Sequence, residues 1–172
     1  MQPPKVEPAV QVFRAPKVGR ESFIVLSHQW VAHSTHFTTR TRVCPGEDRC
    51  PLCAESVLPR WLAWIAAGRP GRTEVGLLEL TSFAADQLAA KADNAGSLFG
   101  VVFTLERDRA KWPRCVDFGR HNPDAKWRVD TAWVQRQLRR VLSLPDTETW
   151  KDAAAALLRH DIQHGQLQSC AH

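Results

Sequence analysis

Three cysteines within ten positions of one another constrain the fold more than any other feature of this chain. Cys50 and Cys53 form a C-x2-C pair, and Cys44 precedes the pair across a turn-forming Pro-Gly-Glu-Asp-Arg segment. Pro51 fixes one backbone φ angle inside the pair. Two thiolates from one tight turn and a third nearby supply three of the four donors of a tetrahedral zinc site. The spacing therefore predicts one structural zinc ion held by Cys44, Cys50 and Cys53.

The fourth zinc ligand is left open by the sequence, although a nearby histidine is expected. A hairpin that ends near residues 31–38 would bring His28 opposite Cys44, so His28 is the first choice. His36 is the alternative, because on one straight strand it would lie about 25 Å from Cys44. The remaining candidates, more distant along the chain, are Cys115 and Cys170.

Four protein ligands would close the zinc site, which leaves no open position for water and predicts a structural ion in a protein that is not an enzyme. The sequence lacks the H-x-E pattern of zinc deaminases. His121-Asn122 matches only part of the His–Asn–His set of a zinc-dependent nuclease. A redox role for the C-x2-C pair lacks a βαβ context. The odd count of five cysteines also argues against a disulfide framework and for a reducing compartment.

Charge and hydropathy limit the classes of partner that the chain is expected to bind. The formal net charge is +5, which suits a nucleic-acid partner without requiring one. The longest apolar stretch, residues 61–67, is far shorter than the ~20 residues of a membrane-spanning helix. The first residues lack the apolar segment of a signal peptide. We therefore expect a cytoplasmic protein with no membrane partner.

Hydrophobic periodicity predicts an α+β fold. Strands are expected at residues 22–31, 36–43, 73–80, 97–107 and 111–118. Helices are expected at residues 54–67, from Thr81 or Ser82 to 93, from a cap at Thr131, and at 149–160. This order fits a small OB-like β-barrel with a zinc-knuckle insertion, followed by C-terminal helices. The predicted organisation is a flexible basic arm (1–19), a zinc-bearing OB-like domain (20–128), a helical segment (129–160) and a tail (161–172).

The run Phe23-Ile24-Val25-Leu26-Ser27-His28, then Cys44, then Cys50-Pro51-Leu52-Cys53, resembles a known pattern. It is similar to the zinc-bearing helix-destabilising proteins of T-even phages, which bind single-stranded DNA. The resemblance covers about residues 20–120 and implies an OB-type core. It also implies zinc at the three cysteines and His28, and a basic, aromatic-lined groove for single strands.

Cations interleaved with aromatic residues mark the segments that such a groove would use, because single strands need charges for phosphates and flat rings for bases. An alternative interpretation is that Trp112 and Trp127 cover the core while the neighbouring cations only solvate loops. The candidate nucleic-acid-binding residues are Trp30, Phe37, Arg40, Arg42, Arg107, Lys111, Trp112, Arg114, Trp127 and Arg128.

The expected function is binding of single-stranded nucleic acid, DNA before RNA, with low sequence specificity. The expected setting is replication, recombination or mobile-element DNA handling in a bacterial or phage system, with association to the nucleoid. The alternative is a zinc-stapled protein-interaction module, in which Trp150, Leu157 and Leu158 of the last helix dock a partner. A replication or recombination protein is the partner expected at the C-terminal helices.

Overall fold

The strands and helices are taken from a computed structural model that describes residues 10–109, 111–144 and 149–165. The strands are β1 (Gln11–Phe13), β2 (Gly19–Val25), β3 (Val31–Phe37), β4 (Thr41–Val43), β5 (Arg60–Gly68), β6 (Val75–Thr81), β7 (Val101–Arg107) and β8 (Arg114–Arg120). The helices are α1 (Pro51–Ala54), α2 (Ser82–Ala89), α3 (Thr131–Val141) and α4 (Trp150–Gln163). The predicted α+β class is confirmed.

The strands within the described ranges form one mixed sheet in the order β1-β6-β5-β2-β7-β8, and β3 joins β5 and β4 at the side. β1 runs parallel to β6, whereas the other pairs are antiparallel. β5 pairs with β3 over its first half and with β2 only at its last two residues. β2 and β3 therefore follow one another along the same edge of β5.

Helices cover both faces of this sheet. On one face, α2 packs Ala84, Ala85 and Leu88 against a core that includes Phe23 and Phe103. On the other face, α3 and α4 contribute the small and branched side chains that enclose the fully buried Trp64. Burial of each large side chain stabilises the fold by about 1.5–3 kcal/mol. In the part of the chain that the structure describes, no helix has the length and apolar character needed to cross a membrane.

The predicted helix over residues 54–67 is wrong. Only Ala54, the last residue of the four-residue α1, is helical in that range, and residues 60–68 form strand β5. Ala63 and Ile65 of β5 face the α2 side, while Trp64 and Ala66 face the α3 side. A strand that is buried on both faces has a continuous apolar run, which periodicity does not distinguish from a helix.

The predicted first hairpin is shifted. Its strands were expected at residues 22–31 and 36–43, with a turn between them, but β3 occupies residues 31–37 and the turn lies at 38–40. Of the two residues expected to begin α2, Thr81 is the cap. The predicted cap of α3 at Thr131 is wrong, because Asp130 caps that helix and its side chain accepts from the amide of Trp133.

Two of the predicted termini also contain regular structure. β1 lies within the predicted flexible arm, and α4 extends to Gln163. Residues 1–9 of the predicted arm and residues 166–172 of the predicted tail lie outside the described residues.

Candidate metal centre and aromatic groove

The β3–β4 hairpin brings a histidine beside the cysteine knuckle. Its register pairs His36 with Arg42, and the amide of Cys44 donates to the carbonyl of Ser34 at 2.8 Å. The chain thus doubles back between residues 36 and 44, so a straight-strand separation of about 25 Å does not apply. His36 is buried, with 1% of its surface exposed.

The C-x2-C pair is set by a single helical turn. Cys50 precedes α1 in an extended conformation, and Pro51 occupies the first turn of the helix, where its missing N–H removes no hydrogen bond. The amide of Ala54 donates to the carbonyl of Cys50 at 3.1 Å. This turn directs both thiols of the pair toward His36.

Four donor atoms converge in this region, from His36, Cys44, Cys50 and Cys53, and all lie within 4.8 Å of one another. The His36 Nε2 atom is 3.3 Å from Cys50 Sγ and 3.4 Å from Cys53 Sγ. Cys44 Sγ is 3.6 Å from Cys53 Sγ. A tetrahedral zinc ion with ordinary bond lengths separates N and S ligands by about 3.6 Å and two S ligands by about 3.8 Å. The donors therefore fit around one metal ion with little rearrangement.

Burial sets the protonation of these donors when no metal is bound. It raises the pKa of Cys53 to about 12, with the neighbouring thiols adding to the effect, and it raises the pKa of Cys44. Burial lowers the pKa of His36, so its imidazole stays neutral. A metal ion must displace the thiol protons, whereas the imidazole is ready to ligate.

The choice of His28 as fourth ligand is wrong, and the alternative His36 takes that place in the cluster. His28 is exposed, its Nδ1 atom lies 2.5 Å from Ser97 Oγ, and its ring lies against Phe99. Cys115 is buried in the core, where its thiol donates to the carbonyl of Ala84 at 3.4 Å. The last alternative, Cys170, lies outside the described residues.

Helix α4 packs directly on the cysteine knuckle. Leu158 forms a small buried cluster with Cys50 and Leu52. Arg42 of β4 forms an ion pair with Asp161, and both side chains are almost fully buried. The prediction that Arg42 contacts nucleic acid is therefore wrong, because its guanidinium is enclosed between β4 and α4.

A groove of about 990 Å³ lies on the other side of the β3–β4 turn. We call it the aromatic groove, because it is lined by every aromatic side chain that is classed as exposed within the described ranges. These rings are Phe37 (64% exposed), Trp61 (38%), Phe83 (52%) and Trp112 (68%). Its arginines are Arg14, Arg40, Arg60 and Arg107.

The groove is positively charged. Its one carboxylate, Glu79, pairs with Arg14 at 3.3 Å, and Arg40 pairs with Asp161 at 3.5 Å. Arg60 and Arg107 form no ion pair with any described carboxylate. The arrangement can hold an anionic ligand that also presents flat or apolar surface.

The structure brings four of the predicted residues into the groove: Phe37, Arg40, Arg107 and Trp112. Sequence reasoning missed Trp61 and Phe83, although Arg60-Trp61 repeats the cation–aromatic pairing used elsewhere in the prediction. Lys111 and Arg114 lie beside the groove on the β7–β8 hairpin, where they pair with Asp108 and Glu106.

The remaining predicted residues do not line the groove. Trp30 touches Trp61 edge to face, with ring centroids 6.5 Å apart. Trp127 is half-buried, with the ammonium of Lys126 over its ring, and Arg128 lies over Phe99.

Comparison of the chain with protein-family models, curated proteins and solved structures gave no match. The functional interpretation therefore depends on the geometry of the metal centre and of the aromatic groove.

Proposed function

We propose that the protein binds single-stranded nucleic acid, DNA in the first instance, in the aromatic groove and with low sequence specificity. One observation carries the proposal: the four exposed aromatic rings of the described chain line one groove together with four arginines. Exposure of so much aromatic surface in one place is unfavourable in water and typically marks a binding site.

The two residue types in the groove match the two parts of a single strand. Aromatic rings stack on bases at about 1–3 kcal/mol per base, and they tolerate any sequence because every base has a π face. The guanidinium groups of Arg60 and Arg107, which form no ion pair with a carboxylate in the described part of the chain, supply charge for the backbone phosphates. A duplex hides its bases inside the helix, so the groove favours the single strand.

The position of the groove in the sheet supports an OB-like arrangement. β2 pairs with both β5 and β7, β5 and β6 form a hairpin, and α2 separates that hairpin from β7–β8. OB folds bind oligonucleotides on their second and third strands and on two flanking loops. Here the groove is lined by β5 and β6, by the β3–β4 turn and by the β7–β8 turn.

The metal that this centre would hold is zinc. Three thiolates and one imidazole are a donor set typical of structural zinc sites, and four protein ligands leave no position for a substrate. We assign the ion a structural role and the protein no enzymatic activity. Its direct effect is to join β3, the segment after β4 and the knuckle, on which Leu158 of α4 packs.

The biological setting follows from the ligand. Sequence-tolerant single-strand binding suits replication, recombination or the movement of a mobile element, and would associate the protein with the nucleoid. No observation favours the alternative of a protein-interaction module, because Leu158 is buried on the knuckle and Trp150 and Leu157 pack into the sheet core.

Fluorescence anisotropy with labelled oligothymidine, an RNA oligomer and a duplex of equal length tests the proposal. Trp112→Ala should raise the Kd for oligothymidine about 5- to 150-fold, the equivalent of one lost stacking contact. This ring is 68% exposed, so the substitution should leave the fold intact. Ile162→Ala, at an exposed apolar residue on α4, is the matched control and should leave the Kd for oligothymidine unchanged.

Salt dependence provides the second criterion. Binding through several phosphates should weaken steeply as salt is raised, with a slope of about 0.7 per phosphate for single strands. Equal affinity for the duplex and the single strand, or a Trp112→Ala variant that binds as tightly as the wild type, would contradict the proposal.

A further inference from the structure

The aromatic groove continues past Trp61. The Trp61 ring touches Trp30, which lines a smaller cavity of about 290 Å³ beside the C-terminal end of α2. That cavity shares His28, Gln29 and Gly96 with a third concave surface of about 590 Å³. The three concavities therefore follow one another along the protein surface.

Helix α2 runs along this series of concavities. Ser82 and Phe83 at its N-terminal end line the aromatic groove, and Ala89 at its C-terminal end lines the smaller cavity. Ala89 lies six helical residues after Phe83, a rise of about 9 Å, so the second and third cavities extend the groove by at least that length. We call the surface formed by these two cavities the flank path. Trp30 lines its near end, beside Trp61, and Arg128 lines its far end.

The far end of the flank path carries two arginines. The Arg128 guanidinium lies 4.5 Å from the centroid of the Phe99 ring, and it pairs with no described carboxylate. Arg120 donates to the carbonyls of Lys91 and Phe99, at 2.8 and 3.2 Å. These contacts hold both side chains in place without neutralising their charges.

One carboxylate, that of Asp93, also lines this end, but neighbouring backbone amides donate hydrogen bonds to it. Asp93 accepts the backbone amides of Ala95 and Ser97, each at 2.9 Å, and these bonds lower the pKa of its carboxyl group. The two arginines outweigh its single negative charge.

We propose that a single strand longer than the aromatic groove continues along the flank path and places its phosphates at Arg120 and Arg128. The inference rests on the proposed function of the groove and extends it to a longer binding site. The flank path repeats the chemistry of the groove, with a partly exposed Trp30 ring followed by cations. It would also bring the strand to Trp30 and Arg128, two predicted nucleic-acid-binding residues that do not line the groove.

The test compares two lengths of labelled oligothymidine, about 5 and about 15 nucleotides, near the ends of the range for OB-type sites. Arg128→Ala removes a charge from the far end of the path. Gln29→Glu adds a negative charge at an exposed position shared by its two cavities, with almost no change of shape. Arg136→Ala is the matched control, because Arg136 is exposed on α3, against the opposite sheet face from α2.

Arg128→Ala and Gln29→Glu should each raise the Kd for the longer oligomer about tenfold and leave the Kd for the shorter oligomer unchanged. Arg128→Ala should also reduce the salt slope of the longer oligomer by about 0.7. Arg136→Ala should behave as the wild type at both lengths.

Three results would overturn the inference. If the shorter oligomer binds tightly and both path variants match Arg136→Ala at both lengths, the groove binds single strands but the path does not. If polyphosphate, which has no bases, competes as well as the longer oligomer, the path is a general anion surface. If neither oligomer binds, the proposed function fails as well.

Discussion

The buried ion pair between Arg42 and Asp161 gives the sharpest test of how the metal centre is supported. Both side chains are almost fully buried, with 3% and 1% of their surfaces exposed. Burial lowers the pKa of the Arg42 guanidinium, while Asp161 opposes that shift. Asp161 also pairs with Arg40 at 3.5 Å, so one carboxylate serves two cations. Asp161→Ala therefore removes the anionic partner of both arginines.

Removal of Asp161 should destabilise the protein by about 3–5 kcal/mol, because it leaves the Arg42 charge buried without an anionic partner. The higher helix propensity of alanine in α4 offsets at most about 0.7 kcal/mol. Domains are stable by about 5–15 kcal/mol, so the loss is a large fraction of the total. Asp108→Ala is the matched control: its pair with Lys111 is exposed on both sides and should contribute less than about 1 kcal/mol.

Urea denaturation of the metal-loaded protein, followed by tryptophan fluorescence, measures both free energies of unfolding. The double variant Arg42→Met/Asp161→Leu should recover most of the stability, because it removes both buried charges together. An Asp161→Ala variant that unfolds at the same urea concentration as Asp108→Ala would refute the reasoning. So would a double variant that is less stable than Asp161→Ala.

The other predictions concern the metal centre and pH. His36→Ala should lose the metal during dialysis against a mild chelator, whereas His28→Ala should retain one metal ion per chain, as measured by elemental analysis. Metal affinity should rise with pH between about 6 and 8, about tenfold per pH unit for each displaced thiol proton, in competition with a chromophoric chelator. Burial, aided by Arg139, lowers the pKa of His33 to about 4, so the unfolded chain binds a proton that the folded chain does not. The free energy of unfolding should therefore fall as pH drops from about 6.5 toward 4, and His33→Phe should weaken that dependence in pH-resolved denaturation.

The cysteine ligands could be predicted because all three lie in one local turn, where spacing alone brings them together. His36 could not be predicted in this way, because its position relative to the cysteines depends on where the chain reverses between β3 and β4. The turn at Thr38-Thr39-Arg40 contains no Gly, Pro, Asn or Asp, and is closed by the amide of Thr38 donating to the carbonyl of Arg40 at 3.2 Å. A shift of the turn by a few residues moves His36 from one end of a strand to the side of Cys44.

The same turn also separates two of the predicted cations. The sequence predicts that Arg40 and Arg42 both contact nucleic acid. Because the chain reverses at Arg40, that residue lines the groove, whereas Arg42 lies in β4 beneath α4. Trp61 was missed for a related reason, since its apolar neighbours favoured a core helix over a strand whose first residues reach solvent.

The metal centre and the aromatic groove share one structural element, the β3–β4 hairpin. His36 reaches the knuckle from β3, the next residue, Phe37, lines the groove, and Arg40 of the turn lines the groove while pairing with α4. Alternation along a strand places neighbouring side chains on opposite faces, so fixing His36 also fixes Phe37. Metal removal should therefore raise the Kd for oligothymidine by more than removal of the Phe37 side chain alone does. Anisotropy titrations measure both effects, on protein that circular dichroism shows to be still folded. Equal affinity of the metal-free and metal-loaded forms would show that the hairpin keeps its shape without the ion.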